Sequence, residues 1–408
     1  MRYDTDVIVA GGGLNGPALA LALARAGLRV IVVDAQPPRA RAEAAFDGRA
    51  YALAIASRRL LSAIGVWPAL ATQSQPILEI KASDGRAGEG PARQLLHFDS
   101  AEIEEGPMGF MVEDRHLYAA FLAAMEATPG LTHLPATTVT AQDPQAAGIA
   151  VTLSDGRTLL ARVLAGCDGR MSQTAVRAGI GRMTKSYGQT ALVCAVAHQR
   201  PHGGIAQQFF MPSGPLAILP LTGNRSSIVW SETEANARTI ATLDDAEFLA
   251  VLAPRFGSYL GAIRLAGPRF SYPLSLSLAN DYVAPRVALV GDAAHGVHPI
   301  AGQGLNLGLR DVAALAEVLV LAARRGEDIG AADVLGRYQS WRRFDSSALA
   351  LGMDGVNALF SNDNPILRAG RELGLGLVGH IAPLRRAFIR QAAGLAGHPA
   401  RLLTGEPL

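Results

Sequence analysis

The chain has 408 residues, which is too long for one ordinary hydrophobic core and indicates two or three structural units. Hydrophobic residues make up 49% of it and charged residues 18%, a composition that excludes general disorder. The 37 basic and 35 acidic residues leave a formal net charge of only +2, too balanced for an electrostatic nucleic-acid binder. Nucleic acid is therefore not expected as a partner.

The first segment predicts a nucleotide-binding unit. An apolar run at residues 7–10, a glycine-rich loop at residues 11–16 and a Leu- and Ala-rich stretch at residues 17–27 predict strand, tight turn and helix. A second apolar run at residues 29–33 follows and ends on Asp34. Together they predict a βαβ unit that binds a dinucleotide. The alternative is a glycine-rich turn inside an α/β core.

The glycine-rich loop matches the dinucleotide fingerprint Gly-x-Gly-x-x-Gly. Gly11 permits the sharp turn, Gly13 lets the backbone approach a pyrophosphate, and Gly16 lets the helix pack closely on the strand. The phosphates would then meet the positive N-terminal end of the helix. Asp34, about 20 positions further on, is expected to bind a ribose hydroxyl.

Two arginines are candidates for cofactor contacts. An Asp-Gly-Arg turn at residues 47–49 leads into a helical segment that ends near Gly65, which places Arg49 near the phosphate end of the dinucleotide fold. Arg115 lies in the first turn of a helix predicted to run to about Ala127. Each is expected either to reach a phosphate or to face solvent, and the pattern leaves both roles open.

A carboxylate ends a later strand. The apolar run from Val163 stops on Asp168 and Gly169, and a helix follows near Ser172. In an open α/β sheet, a carboxylate at the end of a strand points into the ligand crevice. The alternative is an ordinary turn with a solvated Asp168.

The middle of the chain predicts a second domain. From Gln189 to about Pro273, short β-type runs alternate with turn residues, interrupted by one helical stretch at residues 244–256. Residues 77–98 also have the pattern of hairpin strands that leave the first domain. A largely antiparallel sheet laid against a cofactor domain would form a substrate cavity at the interface.

The chain then returns to the first domain. An apolar strand at residues 286–290 ends on Gly291 and Asp292, and residues 299–306 open a long helix that runs to about Ala323. The free backbone N–H groups at its start and its positive dipole end predict an anion site.

No metal is expected. His295 and His298 have only Asp292 as a plausible co-ligand, and their spacing matches no known metal site, so loop-shaping hydrogen bonds are the expected role. Cys167 and Cys194 form neither a ligand cluster nor a disulfide framework. Buried, inert thiols in a reducing cytoplasm are expected.

The N-terminal segment is expected to be a first strand and not a cleaved signal. No apolar run reaches the ~18 residues needed to span a bilayer, so the protein is expected to be cytoplasmic, either soluble or peripheral on the inner face of the membrane. Residues 361–393 are apolar and glycine-rich with interspersed arginines, which predicts helices that rest on a membrane surface or pack on a partner. Helices that only cover a domain are the alternative.

Three motifs in one order identify a family resemblance. They are Gly-x-Gly-x-x-Gly with its terminal acid, Asp-Gly at a strand end, and Gly-Asp-Ala-Ala-His followed by Pro-x-x-Gly-Gln-Gly-x-Asn. This order resembles the FAD-dependent aromatic hydroxylases, the group A flavin monooxygenases typified by p-hydroxybenzoate hydroxylase. Residues 47–50 followed by 57–61, together with residues 298–308 and 359–365, are similar to the ubiquinone-biosynthesis hydroxylases of the 2-polyprenyl-6-methoxyphenol hydroxylase type. The likeness covers nearly the whole chain.

The resemblance implies an α/β fold, with a Rossmann-type FAD-binding domain, an inserted, largely antiparallel β-sheet substrate domain and C-terminal helices. The expected boundaries are residues 1–76, 101–185 and 276–340 for the FAD-binding domain, 77–100 and 186–275 for the substrate domain, and 341–408 for the C-terminal helices.

The resemblance also implies cofactor contacts, position by position. The glycine-rich loop would hold the FAD pyrophosphate and Asp34 the adenosine ribose, while Arg49 and Arg115 would contact the phosphate and ribityl region. Asp168 and Gly169 would support nicotinamide docking, Asp292 would bind the ribityl chain, and the start of the last helix would line the isoalloxazine. The expected cofactor-binding residues are Gly11, Gly13, Leu14, Asn15, Gly16, Asp34, Arg49, Arg115, Asp168, Gly169, Gly291, Asp292, Pro299, Gly302, Gly304, Leu305 and Asn306.

One departure from the family is Asn15-Gly16-Pro17, where an apolar residue more often precedes the last glycine and proline rarely follows it. Proline fits the first helical turn, so cofactor binding is expected to survive.

The implied mechanism uses tightly bound FAD and transient NAD(P)H. NAD(P)H reduces FAD, the reduced flavin reacts with O2, and one oxygen is transferred to the electron-rich ring of a polyprenylated phenol in ubiquinone biosynthesis. The cofactor supplies the chemistry, and the sequence identifies no catalytic base. The alternatives are a hydroxylase of a small soluble aromatic in catabolism and a non-catalytic FAD-binding subunit of a biosynthetic complex.

Overall fold

The computed structural model describes residues 2–37, 46–88, 90–297, 302–343, 381–395, 397 and 399–408, without the side chains of residues 90–95, 382, 384, 387 and 388. Its strands are β1 Val7–Ala10, β2 Val30–Val33, β3 Ala50–Ala54, β4 Gln75–Ile77, β5 Glu79–Arg86, β6 Gly90–Asp99, β7 Gly109–Glu113, β8 Leu131–Leu134, β9 Val139–Pro144, β10 Ile149–Leu153, β11 Thr158–Ala161, β12 Val163–Gly166, β13 Arg182–His198, β14 Ile205–Met211, β15 Gly214–Leu221, β16 Arg225–Thr233, β17 Ile263–Leu265, β18 Phe270–Ala279, β19 Val283–Ala284, β20 Val287–Leu289 and β21 His295–Gly296.

The helices are α1 Asn15–Arg25, α2 Ile55–Ala63, α3 Asp114–Glu126, α4 Gln173–Arg177, α5 Glu234–Ala241, α6 Asp245–Phe256, α7 Gln303–Arg324, α8 at residues 332–343, α9 Ala382–Ala392 and α10 Arg401–Thr404. Within these described ranges, no helix is both long and apolar enough to cross a bilayer.

A six-stranded sheet, in the order β19-β20-β12-β1-β2-β8, carries the glycine-rich loop. All its strands run parallel except β19. Every residue of β1 and β12 is buried, as expected for parallel strands covered by helices on both faces. The chain passes from β1 to β2 on one side and later enters β12 on the other, so a ligand crevice opens at the carboxyl ends of β1 and β12.

A nine-stranded sheet lies against this crevice, in the order β21-β18-β13-β16-β15-β14-β5-β6 with β17 also paired to β13. Only its β14–β5 pair is parallel, so the predicted antiparallel sheet is present. Helices α5 and α6 cover one face around the buried side chains of Trp230 and Phe248. The opposite face of this sheet lines the crevice. The domain boundaries drawn from the sequence stay a prediction.

Two three-stranded sheets complete the fold, β3-β7-β4 and β11-β10-β9. Helix α9 packs near the first of them, where Ile389 is buried with Ile77 and Met111.

Candidate active site

A cavity of about 780 Å³ lies between the crevice of the six-stranded sheet and the open face of the nine-stranded sheet. It brings together residues that are far apart in sequence, and such interfaces are where small-molecule sites occur. The predicted site residues that line it are Gly13, Leu14, Asn15, Arg49, Gly169, Asp292, Gly302, Gly304 and Leu305.

The three fingerprint glycines have different surroundings. Gly11 has a φ of +110°, and a Cβ there would overlap the carbonyl oxygen of Cys167. A Cβ on Gly16 would overlap the carbonyl oxygen of Gly11, so both glycines allow the turn to pack against its neighbours. At Gly13, by contrast, a Cβ would meet no atom of the described residues within 4 Å. Gly13 therefore presents bare backbone to the cavity.

Two helix N-termini face the same cavity without side-chain caps. Helix α1 begins at Asn15 and helix α7 at Gln303, and neither has a capping side chain or an acidic residue in its first turn. The Oδ1 atom of Asn15 is buried without a hydrogen-bond partner in the described part of the chain. Uncapped N–H groups and two positive dipole ends suit an anionic ligand.

Asp34 lies behind the glycine-rich loop, where a Cβ on Gly12 would overlap its carboxylate. It accepts hydrogen bonds from the Gln36 amide at 3.1 Å and the Tyr118 hydroxyl at 3.3 Å, and His133 Nε2 is 3.9 Å from Oδ2. Burial raises the pKa of Asp34, but the facing His133 ring, the Gln36 amide and Tyr118 outweigh it and hold the pKa below its usual value. Asp34 is therefore an ionised acceptor at the end of β2.

The two candidate arginines are both in ion pairs. Arg49 Nε donates to Asp47 Oδ2 at 2.7 Å and its guanidinium is 3.6 Å from Asp114, so the hydrogen bond with Asp47 raises its pKa. Arg49 still lines the cavity. Arg115 Nε donates to Glu113 Oε2 at 2.9 Å, and Arg115 is not among the lining residues.

Glu113 is a buried junction that the sequence did not reveal. Only 3% of its side chain is exposed, and its Oε1 accepts from Arg225 of β16 at 2.7 Å. The guanidinium groups of Arg225 and Arg115 lie 4.7 and 5.7 Å from the centre of the Phe46 ring. The cluster connects β7 to the nine-stranded sheet. Because Glu113 and Arg225 are 112 residues apart, no local pattern could have indicated this contact.

Asp168 faces its own loop. Its carboxylate accepts from the Ser172 hydroxyl at 2.5 Å and from the N–H and hydroxyl of Thr174, both at 2.9 Å. These bonds hold the start of α4. Gly169, next in sequence, lines the cavity. The sequence left two roles open for Asp168, a ligand contact and a solvated turn, and the structure adds a third, which is to hold the start of α4. A serine and a threonine four and six residues after Asp168 were the sequence signal for this third role.

The turn at Gly291 and Asp292, called the Gly-Asp turn below, contacts the glycine-rich loop through Asn15. A Cβ on Gly291 or on Gly308 would overlap the Asn15 side chain, so that amide fits between two glycines from distant segments. Asp292 lines the cavity beside it. Asn15, which departs from the family pattern, therefore fits into a space that exists because Gly291 and Gly308 have no side chain.

A fully buried ionic network supports this turn. Asp311 Oδ2 accepts from His295 Nε2 at 2.5 Å and from the Gly291 N–H at 3.0 Å, while Oδ1 accepts from Arg342 Nε at 2.9 Å. Burial raises the pKa of Asp311, but His295 and Arg342 hold it below its usual value. The predicted loop-shaping role of His295 agrees with this bond, but no local pattern indicated Asp311 as its partner.

Asn306 holds the start of α7 in place. Its Oδ1 accepts from the Ala54 N–H at 2.8 Å and the Ser57 hydroxyl at 2.7 Å. Its Nδ2 donates to the carbonyls of Ala52 at 2.8 Å and Gly302 at 3.0 Å. These bonds use the whole amide, so Asn306 positions the Gly302 loop from behind.

Two of the predicted positions, His298 and Pro299, lie outside the described residues.

Among the described residues, no group of three or more His, Cys, Asp or Glu side chains could hold a metal ion. Cys194 is buried, which raises its pKa to about 12, and burial also raises the pKa of Cys167, a half-buried thiol at the cavity wall.

Comparisons with known proteins agree with this geometry. Residues 4–348 match the family described as FAD binding domain. Ubiquinone hydroxylase UbiL of Rhodospirillum rubrum is 48% identical over 406 residues, which cover 99% of this chain and 93% of the relative. The 3-demethoxyubiquinol 3-hydroxylase of Escherichia coli is 37% identical, covering 97% of this chain and 100% of the relative.

The crystal structure of p-nitrophenol 4-monooxygenase PnpA from Pseudomonas putida DLL-E4 has a TM-score of 0.80 at 20% identity, covering 98% of this chain and 100% of that chain. It shows the fold. The predicted fold class, FAD cofactor and monooxygenase activity are confirmed, with NAD(P)H as the co-substrate typical of these enzymes. The chain belongs to the family of FAD-dependent hydroxylases of ubiquinone biosynthesis.

Proposed function

We propose that the chain hydroxylates a neutral polyprenylated phenol ring that binds against the nine-stranded sheet inside the cavity. The observation that carries this proposal is the absence of charge on that wall, among the residues that the structure describes. Its apolar lining residues are Ala191, Val193, Ala217, Leu219, Val229, Pro273 and Leu274, and its polar ones are Gln208, Ser227 and Tyr272.

An aromatic acid would need a cation on that wall, because an unpaired buried carboxylate costs several kcal/mol. The two arginines in the described lining, Arg49 and Arg170, belong to segments of the cofactor side. Arg49 is already paired with Asp47 at 2.6 Å. A neutral ring is therefore favoured over the soluble aromatic acid of the catabolic alternative.

FAD fits the opposite wall. The bare backbone at Gly13 and the uncapped start of α1 would receive the pyrophosphate, with Leu14, Asn15 and the shaping glycines Gly11 and Gly16 around it. Asp34 would accept from a ribose hydroxyl. Gly302, Gly304 and Leu305 at the start of α7 would line the flavin ring. When bound, FAD supplies the redox chemistry that accepts hydride and activates O2.

The remaining candidates would act around this core. Asp292, placed by Gly291, would bind the ribityl chain, and Arg49 the phosphates. Arg115 and Asn306 would act indirectly, since both are engaged with neighbours. Asp168 would hold Gly169 and Arg170 at the cavity for the nicotinamide cofactor. The apolar walls would exclude water from the reaction.

The test is substrate-dependent turnover of the purified FAD-loaded protein. A short-chain 2-prenylphenol should stimulate NAD(P)H oxidation and yield a product that gains one oxygen atom, whereas 4-hydroxybenzoate should not. A deletion strain should accumulate an under-hydroxylated polyprenyl phenol. Stronger stimulation by the acid than by the prenylphenol, or an unchanged quinone profile in the deletion strain, would contradict the proposal.

We also infer contact with a membrane surface, since a polyprenyl tail partitions into a bilayer. The C-terminal arginines Arg385 and Arg390 are paired with Glu102 and Glu105 in the structure, at 2.7 and 3.1 Å. A better candidate surface lies around α4. There the apolar side chains of Met171 and Val176 are 80% and 66% exposed, and arginines flank them in sequence.

Replacing both Met171 and Val176 by glutamate should lower co-sedimentation of the holoprotein with vesicles that contain anionic lipid. Both apolar contact and charge attraction would be weakened. Leu78→Glu is the control, because Leu78 is also exposed but adjoins β5 of the nine-stranded sheet, whereas α4 packs on β9 of a different sheet. Equal sedimentation of the double variant and the control would exclude this surface, and a wild type that stays in the supernatant would exclude vesicle binding.

A further inference from the structure

A row of residues across the nine-stranded sheet forms a platform with one amide at its end. Gln208 of β14 lies opposite Ala217 of β15, Ala217 lies opposite Val229 of β16, and Val229 lies opposite Val193 of β13. All four side chains line the cavity. Neighbouring strands are about 4.8 Å apart, so the three small apolar residues cover about 10 Å, enough for a phenol ring to lie flat.

The amide of Gln208 lacks a partner. Its side chain is half-buried, and in the described part of the chain it makes no hydrogen bond, ion pair or other polar contact. A half-buried amide beside an apolar surface is poorly solvated, and a ligand that bonds to it recovers that cost. The neighbouring Gln207 alternates to the opposite face of the strand.

Two other polar side chains share this wall, and neither suits the role as well. Ser227 is only 2% exposed and lies beside Leu219 on the next row. Tyr272 is 45% exposed, so much of its ring is in solvent. Gln208 offers two N–H donors and a carbonyl acceptor, and it can therefore bond a phenol as acceptor or a phenolate as donor.

We propose that Gln208 binds the ring hydroxyl of the substrate and thereby determines which ring carbon faces the flavin. The inference rests on the proposed function, because it assumes a neutral phenol in this cavity. With the hydroxyl held at Gln208, the ring face on the Ala217–Val229 platform and the tail leading outward, the ring can no longer rotate in its plane. Gln208 takes no proton in this role and acts only through a hydrogen bond.

The test compares Gln208→Leu with Gln207→Leu, a matched change on the opposite face of the same strand. With 2-prenylphenol, Gln208→Leu should raise KM about threefold to tenfold, the effect of one lost hydrogen bond. It should also give a mixture of ring isomers and lower the yield of product per NAD(P)H oxidised. Gln208→Asn, which keeps the amide, should retain more of the wild-type isomer, and Gln207→Leu should match wild type. FAD content should be unchanged in all three.

Each result has a distinct meaning. If wild type hydroxylates 2-prenylphenol and Gln208→Leu keeps its KM, isomer and coupling, the inference is wrong. If Ser227→Ala changes the isomer and Gln208→Leu does not, Ser227 holds the hydroxyl and the inference is wrong. If Gln208→Leu fails to fold, wild-type KM, isomer and coupling in Gln208→Met, which keeps the length of the side chain and removes its amide, overturn the inference. If wild type hydroxylates no prenylphenol at all, the proposed function itself fails.

Discussion

Asp311→Ala is expected to lower the free energy of unfolding by about 3–5 kcal/mol, the usual effect of breaking a buried ion pair. Asp311 is completely buried, and its two oxygens receive His295, Arg342 and the Gly291 amide. Alanine would remove the carboxylate that balances the buried Arg342 guanidinium and would leave the turn at Gly291 unsupported. Urea unfolding of the FAD-loaded and FAD-free protein would measure the loss.

Asp333→Ala is the matched control. Asp333 is 72% exposed and pairs with Arg337 across one helical turn, so its removal should change stability by less than about 0.5 kcal/mol. Because Asp311 supports the Gly-Asp turn, Asp311→Ala should also weaken FAD binding, while Asp333→Ala should leave it unchanged. Equal losses of stability in the two variants would show that the buried network contributes little.

The same network makes the free energy of unfolding decrease at acid pH. The folded-state pKa of Asp311 lies below its ordinary value of 3.8, so its contribution is fully present above pH 3.8. It is lost as the pH falls through the lower folded-state value. In Asp311→Asn that part of the pH dependence should vanish, leaving a shallower decline of stability below pH 4. Asp34, whose pKa is also lowered, would supply part of the remaining slope.

Sequence order alone predicted the parts of the site that depend on backbone. Three apolar runs stop at glycine-containing turns, and these runs predict the fingerprint turn, the strand that ends near Asp168 and the turn before the helix that starts at Gly302. The turns come together because the carboxyl ends of parallel strands share one edge of the sheet. These segments line one cavity in the structure. The individual cofactor contacts stay predictions, since hydrogen-bond geometry to a ligand is not a property of the sequence pattern.

Side-chain partnerships between distant segments could not be predicted. Arg115 was a candidate for phosphate binding, but the buried Glu113 two residues earlier holds it, and Arg225 reaches Glu113 from another sheet. The slot around Asn15 needs Gly291 and Gly308, which lie on a different turn and helix. The uncharged wall depends on strand register, because a shift by one residue would turn the opposite side chains inward.

The loss of FAD in Gly13→Val is the second large effect that we expect. A Cβ at Gly13 meets no atom within 4 Å in the part of the chain that the structure describes, so the apoprotein should fold normally. The space around this Cβ is where the pyrophosphate would approach the backbone. Two charge-assisted hydrogen bonds of about 1.5–3 kcal/mol each would be lost, which weakens binding about a hundredfold or more. Fluorescence titration of the apoprotein with FAD would measure it.

Two further variants separate cofactor loss from misfolding. Gly336→Val, on α8, also places its Cβ more than 4 Å from any atom of the described residues and outside the described cavity lining, and it should bind FAD like wild type. Gly11→Val should prevent folding, because its left-handed φ disfavours a β-branched residue and its Cβ would overlap the Cys167 backbone. If Gly13→Val instead binds FAD as tightly as wild type, the pyrophosphate does not approach the backbone at Gly13. The assignment of this loop would then be wrong even though the family is right.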